Sequence, residues 1–442
     1  MTLDKKTRAL LALTAALAFA GCGDDDSTDD PGDDPMVDMG TTDMSSDDDL
    51  GGGPVTTESY VVTVHDGDSD ITYLAQVDDL AAGTTVGFTG PQIPGSVIAV
   101  ASGDDPYVYV GSSSSVLYRY VVTADGVELD DEVDFINQGT TAINGYQSAL
   151  FLVDETKGYF LDLANNQVVI WNPTDMTVTG AEDFSETVTG ADIRSGHSGF
   201  PIQIGTKYYY GLGFIDSTTL GVLGGAAMLV IDSADDSATV FRDPMDRCGY
   251  TFSIAEGTDG IYLASESYAA ANHALDDSAP APCMVRFDPE TETFDETFQQ
   301  DLTALVGGTA AGTVVPGPTA GEAYLRVLEE SELPCTVEQW SMGDSSCPAG
   351  GAGPRARLLS VQAAWKWYEL TLGDTPVATE MPDAVLTSGA TLGINSGAEI
   401  LVPEFEGTAT DLRDFTGNVY GDIVLESEGY IRSIAKVTVV TE

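Results

Sequence analysis

Short apolar runs alternate with polar turns along the chain from about Ser59 onward. The runs are rich in Val, Ile, Tyr and Thr, which is typical of β-strands, and few segments show the period of an α-helix. One pattern recurs: an apolar strand that ends in a polar turn, followed by a strand rich in Thr and acidic residues. Examples are VLYRYVVTADGVELDDEVDF from Val116, QVVIWNPTDMTVTGAEDF from Gln167 and CMVRFDPETETFDETFQQDL from Cys283. The pattern predicts a chain of β-hairpins.

A second strand pair precedes most copies of this hairpin, such as ALFLVDETKGYFLDL before the copy at Gln167. Two hairpins per unit make a four-stranded sheet. A last unit, ATLGINSGAEILVPEF followed by NVYGDIVLESEGYIRSIAKVTVV, brings the count to seven. The turns of the first six units lie 46 to 60 residues apart, with one interval of 84, near Asp78, Ala124, Pro173, Ser233, Pro289 and Gly373.

Four-stranded units repeating at this interval are the sequence signature of a β-propeller, in which the units stack as blades around an axis. We therefore predict an all-β fold: a single β-propeller over residues 58–442 with seven four-stranded blades. Six or eight blades, or a pair of β-sandwich domains, are the alternatives. The single propeller is favoured because no second low-complexity linker divides Ser59 to Glu442.

Residues 1–21 have the pattern of a bacterial signal peptide. The positively charged segment KKTR precedes the apolar run ALLALTAALAFA, which is too short to span a membrane. No later stretch reaches the length of apolar sequence that a transmembrane helix needs. Lipid would therefore be the membrane anchor.

The segment Phe19-Ala20-Gly21-Cys22 resembles the bacterial lipobox, in which a peptidase cuts before a cysteine that carries lipid on its sulfur. We predict lipidation of Cys22 and a protein anchored to a membrane outside the cytoplasm. Phe19 stands where the lipobox usually has Leu, so a plain secretory signal peptide is the alternative. Gly23 is not the Asp that retains lipoproteins in the inner membrane of enteric bacteria, which favours the outer membrane or the cell surface.

Residues 22–57 are the predicted tether. The stretch from Gly23 to Pro54 contains 12 Asp and no Lys, Arg or aromatic residue. Such a segment cannot bury enough apolar surface to offset the entropy lost on ordering, and its like charges extend it. We predict a disordered spacer, whose Asp clusters would bind calcium only weakly.

The overall charge limits the partners. Against 71 Asp and Glu the chain has 17 Lys and Arg, so its formal net charge is −54. Such a field repels phosphate backbones and anionic lipid surfaces, which excludes nucleic acid as a partner. Cations, cationic surfaces or neutral ligands fit it, although strong acidity also serves solubility alone.

Four cysteines follow Cys22, and an even number in an exported chain indicates two disulfides. We favour Cys248 with Cys283 and Cys335 with Cys347 among the three possible connectivities. The second pair closes a loop in an insertion at about residues 329–357, where the interval of 84 residues falls. A zinc site is the rival, but the sequence has no Cys-x-x-Cys pair and no His near these cysteines.

The sequence shows no catalytic constellation. His65, His197 and His273 are its three histidines, and the nearest approach to a nucleophile elbow, GHSGF from Gly196, lacks the final Gly of the motif. With the cysteines expected in disulfides, a cysteine nucleophile is also disfavoured. We predict no catalytic residue.

Two sets of residues are candidates for binding. Asp66, Asp68 and Asp70 are spaced as at the start of a calcium loop, although Ile71 and Val77 replace the Gly and Glu that the loop needs; a solvated hairpin turn is the alternative. Aromatic residues could line a ligand site, but propeller blades need most of them as core: Tyr208, Tyr209, Tyr210, Trp365, Trp367 and Tyr368.

Trp340 is a separate ligand-binding candidate. It lies in the disulfide-bounded insertion, where no blade core demands a large aromatic side chain. A small satellite core stapled by the disulfide is the alternative.

Several segments together resemble MxcI-type bacterial lipoproteins: the lipobox, the Asp-rich tether, RCGYTF from Arg247, CMVRFDPETETFDE from Cys283, AGTVVPGPTAGEAYLRVLEE from Ala311 and AAWKWYEL from Ala363. The resemblance covers most of the chain after the tether, and its motifs are blade-strand signatures. It implies an extracytoplasmic accessory to outer-membrane uptake of a metal chelate, in keeping with the siderophore-type iron acquisition with which the family is associated. It supplies no catalytic residues.

The leading functional hypothesis is a non-enzymatic binding or scaffold propeller on the cell envelope, whose partner is an envelope protein or a small molecule. The alternative is a propeller hydrolase or lyase that uses carboxylates in the central channel. Carboxyl groups with raised pKa values, clustered on one channel face, would favour the enzyme.

Overall fold

The computed structural model describes residues 55–184, 193–197, 199–344, 347, 355–390, 393–396, 399–406, 408–416 and 420–441. The predicted signal peptide and Cys22 lie outside the described residues, as does the tether up to residue 54. The first strand begins at Val55, inside the range 22–57 predicted for the tether. Within the described residues, no helix has both the length and the apolar character needed to cross a membrane.

Thirty strands in the described residues form seven sheets, which follow one another along the chain. The strands of the first two sheets and one that pairs elsewhere are β1 (Val55–Asp66), β2 (Ile71–Val77), β3 (Thr85–Val86), β4 (Gln92–Pro94), β5 (Ala99–Val100), β6 (Tyr107–Val110), β7 (Val116–Thr123) and β8 (Gly126–Asp134). Those of the third and fourth are β9 (Leu150–Asp154), β10 (Lys157–Asp162), β11 (Gln167–Asn172), β12 (Thr177–Asp183), β13 (Ile193–His197), β14 (Ile202–Ile204), β15 (Lys207–Asp216), β16 (Ala227–Asp232) and β17 (Ser237–Arg242).

The remaining strands complete the fifth, sixth and seventh sheets. They are β18 (Ser253–Gly257), β19 (Gly260–Ala264), β20 (Cys283–Asp288), β21 (Thr293–Asp301), β22 (Ala311–Pro316), β23 (Glu322–Leu328), β24 (Trp365–Thr371), β25 (Val377–Glu380), β26 (Ile394–Ser396), β27 (Glu399–Glu406), β28 (Ala409–Asp414), β29 (Ile423–Ser427) and β30 (Tyr430–Thr441). β14 adds a second short innermost strand to the fourth sheet, and β3 pairs in parallel with β29 at the outer edge of the seventh.

The seven sheets are the blades of a seven-bladed β-propeller, and the predicted fold is confirmed. Within a blade the strands run antiparallel in chain order from the axis outward, except that β30 is innermost in blade 1 and the added strand β3 is parallel in blade 7. Innermost strands of neighbouring blades contact one another, for example β30 with β5, β5 with β9 and β18 with β22. We number the blades 1 to 7 along the chain.

Apolar side chains between neighbouring blades hold the ring together. Leu74 of blade 1 and Val108 of blade 2 are fully buried in one such layer, together with Val437 of β30. The middle strand β16 buries the unbroken run Ala227 to Ile231, because both of its faces pack against other blades. Outer strands such as β12 alternate exposed and half-buried residues instead, as expected for a strand with one wet side.

Both ends of the propeller chain build blade 1. β30 is its innermost strand and pairs with β1 from Val55 opposite Thr441 to His65 opposite Tyr430. The repeat pattern predicts that the whole segment from Asn418 belongs to the last unit. This prediction is wrong for β30, which leaves blade 7 and completes blade 1. Edge pairing explains the exchange, since β1 would otherwise expose an unpaired edge to the axis.

The described helices are short and lie in connections between strands. They are α1 (Ser267–Leu275), α2 (Leu302–Leu305), α3 (Val337–Met342) and α4 (Arg355–Ser360). α3 and α4 belong to the predicted insertion, which lies between β23 and β24 of blade 6.

Both predicted disulfides form. The Cα atoms of Cys248 and Cys283 are 5.2 Å apart, and those of Cys335 and Cys347 are 5.7 Å apart. The first bond joins the link after blade 4 to the third strand of blade 5, and the second staples the insertion.

Candidate functional site

The propeller has two faces with different loops. Because the strands of a blade are antiparallel, the turns between its first and second and its third and fourth strands lie at one end. We call this the lower face. The upper face carries the turns between second and third strands and the links between blades.

A cavity of about 850 Å³ lies at the lower face and extends to the central axis. We call it the lower cavity. Four blades line it: β30 of blade 1, the connection 101–106 of blade 2, β9 of blade 3, and Pro201 and Gln203 of blade 4. Its size is within the range of small-molecule binding sites.

Phe200, which precedes the lining residue Pro201, reaches across the central channel. It precedes β14 in blade 4, yet it packs with Val315 of blade 6 and Val402 of blade 7. Gly393 of blade 7 makes this approach possible, since a Cβ there would stand 2.3 Å from the Phe200 ring. The Phe200 side chain therefore occupies part of the channel between blades 4, 6 and 7.

An apolar strip forms one wall of the lower cavity. In β9, Phe151, Leu152 and Val153 are all half-buried, whereas an innermost strand sealed by its neighbours would bury alternate residues fully. The Phe151 ring lies 4.8 Å from the ring of Tyr208 and 6.1 Å from that of Tyr210. The wall thus offers apolar and aromatic surface to a ligand.

Polar groups lie deeper in the same cavity. The Tyr210 hydroxyl donates to the carbonyl oxygen of Ser148 at 3.2 Å, and Gln147 Nε2 donates to the carbonyl of Ile434 at 2.6 Å. Burial raises the pKa of Tyr109 to about 12, so its hydroxyl stays protonated at neutral pH. These residues fix the walls of the cavity across blades 1, 2, 3 and 4.

Carboxylates dominate the charge of the cavity rim. Four of them line it: Asp104, Asp105, Asp154 and Glu155. The Asp105 carboxylate accepts from the backbone N–H of Tyr107 at 2.8 Å, and that of Asp154 accepts from the N–H of Thr156 at 2.7 Å. None of the four forms an ion pair with a cation of the described residues.

The two cations that line the cavity are already engaged. Arg119 Nε contacts Asp130 Oδ2 at 2.6 Å, and its Nη1 donates to the carbonyls of Pro173 and Thr174. Its guanidinium lies 4.9 Å from the centre of the Tyr107 ring. Lys436 Nζ pairs with Glu58 Oε1 at 2.8 Å. Both cations are thus neutralised by carboxylates that do not line the cavity.

A much smaller chamber, of about 20 Å³, lies at the upper face and shares no lining residue with the lower cavity. Glu266 is buried there, where it caps α1: its carboxylate accepts from Tyr268 N at 2.5 Å and from Ser267 Oγ at 2.8 Å. Burial raises the pKa of Glu266, and Arg357 also lines the chamber.

Carboxyl groups with raised pKa values do not cluster in the described part of the channel. Burial also raises the pKa of Glu399 in blade 7, but its charged neighbours are Lys436, Asp414 and Glu58. Glu266 in blade 5 shares none of them. The arrangement that would favour the hydrolase or lyase alternative is not found in these residues.

The candidate calcium ligands form a hairpin turn. Asp66 Oδ1 accepts from the N–H of Asp68 at 2.9 Å, and Asp66 Oδ2 accepts from Ser69 Oγ at 2.7 Å. Asp70 has a φ of 56° in the left-handed region that Asp tolerates. Over the residues that the structure describes, no group of three or more His, Cys, Asp or Glu side chains could hold a metal ion.

Trp340 belongs to a satellite core. It lies on α3, is 1% exposed, and packs with Cys347, Leu359 and α1 under the insertion. It does not line the lower cavity. Its surroundings are those of the alternative, a small satellite core that the disulfide staples.

The histidines are dispersed. His65 Nδ1 lies 3.1 Å from Thr72 Oγ1, His273 Nδ1 lies 2.9 Å from the Ala279 carbonyl, and the His197 ring lies 5.7 Å from that of Tyr210. Among the tyrosines and tryptophans singled out, Tyr208 and Tyr210 line the lower cavity. Tyr209 faces the opposite side of β15 and packs against Phe287, and Trp365 and Trp367 are fully buried.

Sequence patterns did not predict most of the residues that line the lower cavity. Phe151, Tyr107, Arg119, Gln203 and Lys436 come from four blades, and only the closed ring brings them together. One signal was available: FLVDE from Phe151 is an unbroken apolar run followed by two acids, at the inner position of its unit.

No protein-family model matches the chain, and no curated protein does. Similar solved structures include a putative 6-phosphogluconolactonase from Bacteroides fragilis (9% identity, 86% of this chain, 98% of that chain, TM-score 0.45). Apo AztD from Citrobacter koseri is 9% identical over 88% of this chain and 99% of its own, with a TM-score of 0.34. A functionally unknown protein from Desulfotomaculum acetoxidans is 11% identical over 86% and 99%, with a TM-score of 0.43. Likeness at this level carries no argument about function.

Proposed function

We propose that this protein is an envelope lipoprotein whose propeller binds a ligand in the lower cavity without chemically changing it. One observation carries the proposal: a cavity of about 850 Å³ that reaches the axis and has a half-exposed apolar strip in an innermost strand. Such a strip is unfavourable in water, and a ligand that covers it recovers about 25 cal/mol per Å² of apolar surface.

The shape of the channel supports binding at one end. The lower cavity opens at the lower face and shares no lining residue with the chamber at the upper face, so a ligand enters and leaves through the lower face. Apolar walls with a few fixed polar groups are the usual make-up of small-molecule sites. Arg119 and Lys436 each form an ion pair with a carboxylate outside the cavity. Among the described lining residues, no free cation is therefore left for acid–base or phosphate chemistry.

Anchoring on Cys22 would place this cavity at a membrane surface. The Asp-rich tether would hold the propeller away from the bilayer, and the signal sequence favours the outer membrane. The resemblance to MxcI-type lipoproteins favours a more specific form of the proposal, an accessory to the uptake of a metal chelate.

The binding proposal is tested by purifying the full-length protein from its own envelope in mild detergent and weighing it by native mass spectrometry. We expect a bound small molecule that Val153→Trp displaces, because the larger side chain fills the cavity beside β9. Ile136→Trp, at an exposed position away from the cavity, is the matched control and should keep the ligand. Equal ligand occupancy in both variants would contradict the proposal.

The anchor is tested separately. Mass spectrometry of the mature protein should show an N-terminal Cys22 with lipid on its sulfur. Cys22→Ala should release the protein into the soluble fraction outside the cytoplasm. An unmodified chain that starts at another residue would show an ordinary secretory cut.

A further inference from the structure

The negative charge of the lower cavity is concentrated at its rim. Asp104, Asp154 and Glu155 are exposed at the rim, and Asp105 is half-buried between them and Tyr107. Arg119 and Lys436 are held by Asp130 and Glu58 respectively. With four carboxylates against two cations among its lining residues, the cavity therefore presents a net negative charge to anything that approaches it.

Below the rim, β9 forms an apolar part of the wall. Phe151 is the half-exposed ring of a cluster with Tyr159, Tyr208 and Tyr210. Aromatic faces attract cations through their quadrupole, and apolar strips attract hydrocarbon. A ligand that complements both the acidic rim and the apolar wall carries a positive charge on an apolar or aromatic stem.

We infer that the lower cavity takes an organic cation, an ammonium or guanidinium group on an apolar stem. This inference rests on the proposed binding function. The stem covers Phe151, Leu152 and Val153, and the charged head lies among the rim carboxylates. Anions are disfavoured twice, by the rim and by the net charge of the whole chain.

Two sources supply this chemistry, a free amine or a basic side chain of a peptide. The experiment measures both by isothermal titration calorimetry on the full-length protein in detergent. The free probes are phenethylamine, its neutral analogue phenethyl alcohol and the anion phenylpropionate. The peptide probes are the blocked dipeptides acetyl-Phe-Lys-amide and acetyl-Phe-Gln-amide.

We expect phenethylamine to bind more tightly than phenethyl alcohol, and phenylpropionate more weakly than either. The rim variant Asp104→Asn/Glu155→Gln should weaken phenethylamine about tenfold, because two unit charges a few ångströms from the ammonium are removed. The control variant Asp277→Asn/Glu428→Gln makes the same charge change at exposed positions that do not line the cavity, and should leave affinity within about twofold. A preference for the Lys dipeptide over phenethylamine would identify a peptide source.

The outcomes separate the inference from the proposed function. If cation and alcohol bind equally and the rim variant binds both as the wild type does, the inference is wrong. Weaker binding of both probes to Phe151→Ala would then still support a binding cavity. Absence of binding by every probe at millimolar concentration would overturn the inference and count against the proposed function as well.

Discussion

Two of the buried arginines, Arg247 and Arg326, lie in opposite surroundings. Arg247 makes a forked contact with Asp243, with Nε and Nη2 each 2.9 Å from a carboxylate oxygen, and donates to the carbonyls of Phe298 and Asp295. Arg326 is 0% exposed and stacks 3.4 Å from the centre of the Trp367 ring. None of its three side-chain nitrogens has a hydrogen-bond partner in the described structure.

Arg247→Met should lower the free energy of unfolding by about 3 to 5 kcal/mol, because it leaves the buried Asp243 carboxylate without its cation. Hydrogen bonds from Arg247 hold the pKa of Asp243 below its usual value against the effect of burial. Chemical denaturation measures the loss. Lys207→Ala, which removes a half-exposed ion pair with Glu292, is the control and should cost less than about 1 kcal/mol. Equal losses would contradict the prediction.

Arg326→Met should raise the free energy of unfolding by about 1 kcal/mol or more, since it replaces an unpartnered buried charge with an apolar side chain of similar length. Burial lowers the pKa of Arg326 to about 9, which reflects the same desolvation. The nearby Glu404 keeps Arg413 and Tyr420 as partners, so the substitution leaves no orphaned carboxylate. A loss of stability beyond about 1 kcal/mol would show that Arg326 stabilises blade 6 through its stack on Trp367, its partner on the neighbouring strand.

Aspartates at hairpin turns make stability depend on pH. Hydrogen bonds from Thr156, Thr219 and Thr291 lower the pKa of Asp154, Asp216 and Asp288 respectively. A carboxyl group whose pKa is lower in the folded chain stabilises the fold above its unfolded pKa, near 3.8, and loses that effect as the pH falls through the folded value.

Thermal unfolding should therefore occur at progressively lower temperature as the pH falls from about 4 towards 2. Differential scanning calorimetry at constant ionic strength measures this. Asp288→Asn retains an acceptor for the turn but does not titrate, so its melting temperature should depend less steeply on pH in that range. A slope identical to that of the wild type would contradict the assignment.

At the scale of elements, the two disulfides restrain different parts of the molecule. Cys248 and Cys283 are 35 residues apart and enclose β18 and β19, the two inner strands of blade 5. Cys335 and Cys347 are 12 residues apart and enclose α3. The first therefore constrains the ring and the second constrains the insertion.

The variant Cys248→Ser/Cys283→Ser should lower the free energy of unfolding by about 3 to 4 kcal/mol through the freed loop entropy of the unfolded chain. Cys335→Ser/Cys347→Ser should leave the unfolding of the ring nearly unchanged and make the insertion more sensitive to protease. Denaturation and limited proteolysis with mass mapping measure the two effects. The prediction fails if the second variant destabilises the ring as much as the first.

The sequence predicted elements well where the pattern is local. Turn residues such as Pro173 and Pro289 recur in each unit, and cysteine spacing restricted the disulfides, so blade count and pairing followed. Strand exchange between chain ends was missed, because β30 continues the pattern of blade 7 and only closure assigns it to blade 1. The lower cavity was missed for the same reason: Arg119, Phe151 and Lys436 meet through the ring, and nothing in their local sequence marks them.

For the whole molecule, closure depends on one strand. β30 supplies the inner strand of blade 1 and buries Ile434 and Val437 against blades 7 and 2. Its hydrogen bonds and its apolar face thus act at both seams of the ring. A defect in β30 should lower the stability of the whole ring, because it weakens the packing on both sides of blade 1.

Val437→Asp should prevent cooperative folding or lower the free energy of unfolding by several kcal/mol, because it buries an unpaired charge between blades. Val377→Asp makes the same change at a position 55% exposed in the outermost strand β25, and should cost less than about 1 kcal/mol. Circular dichroism and chemical denaturation measure both. Similar stability in the two variants would contradict the role of β30.

The exchange at blade 1 also sets the order of biosynthesis. β30 is the last propeller strand to leave the ribosome, about 370 residues after its partner β1. Blades 2 to 6 can begin to form as the exported chain emerges outside the cytoplasm, but β1 keeps an open edge until Tyr430 and the residues after it emerge. A chain cut short before that strand presents the open edge of β1 to chaperones and proteases, so the twelve residues of β30 act as a checkpoint for chain length.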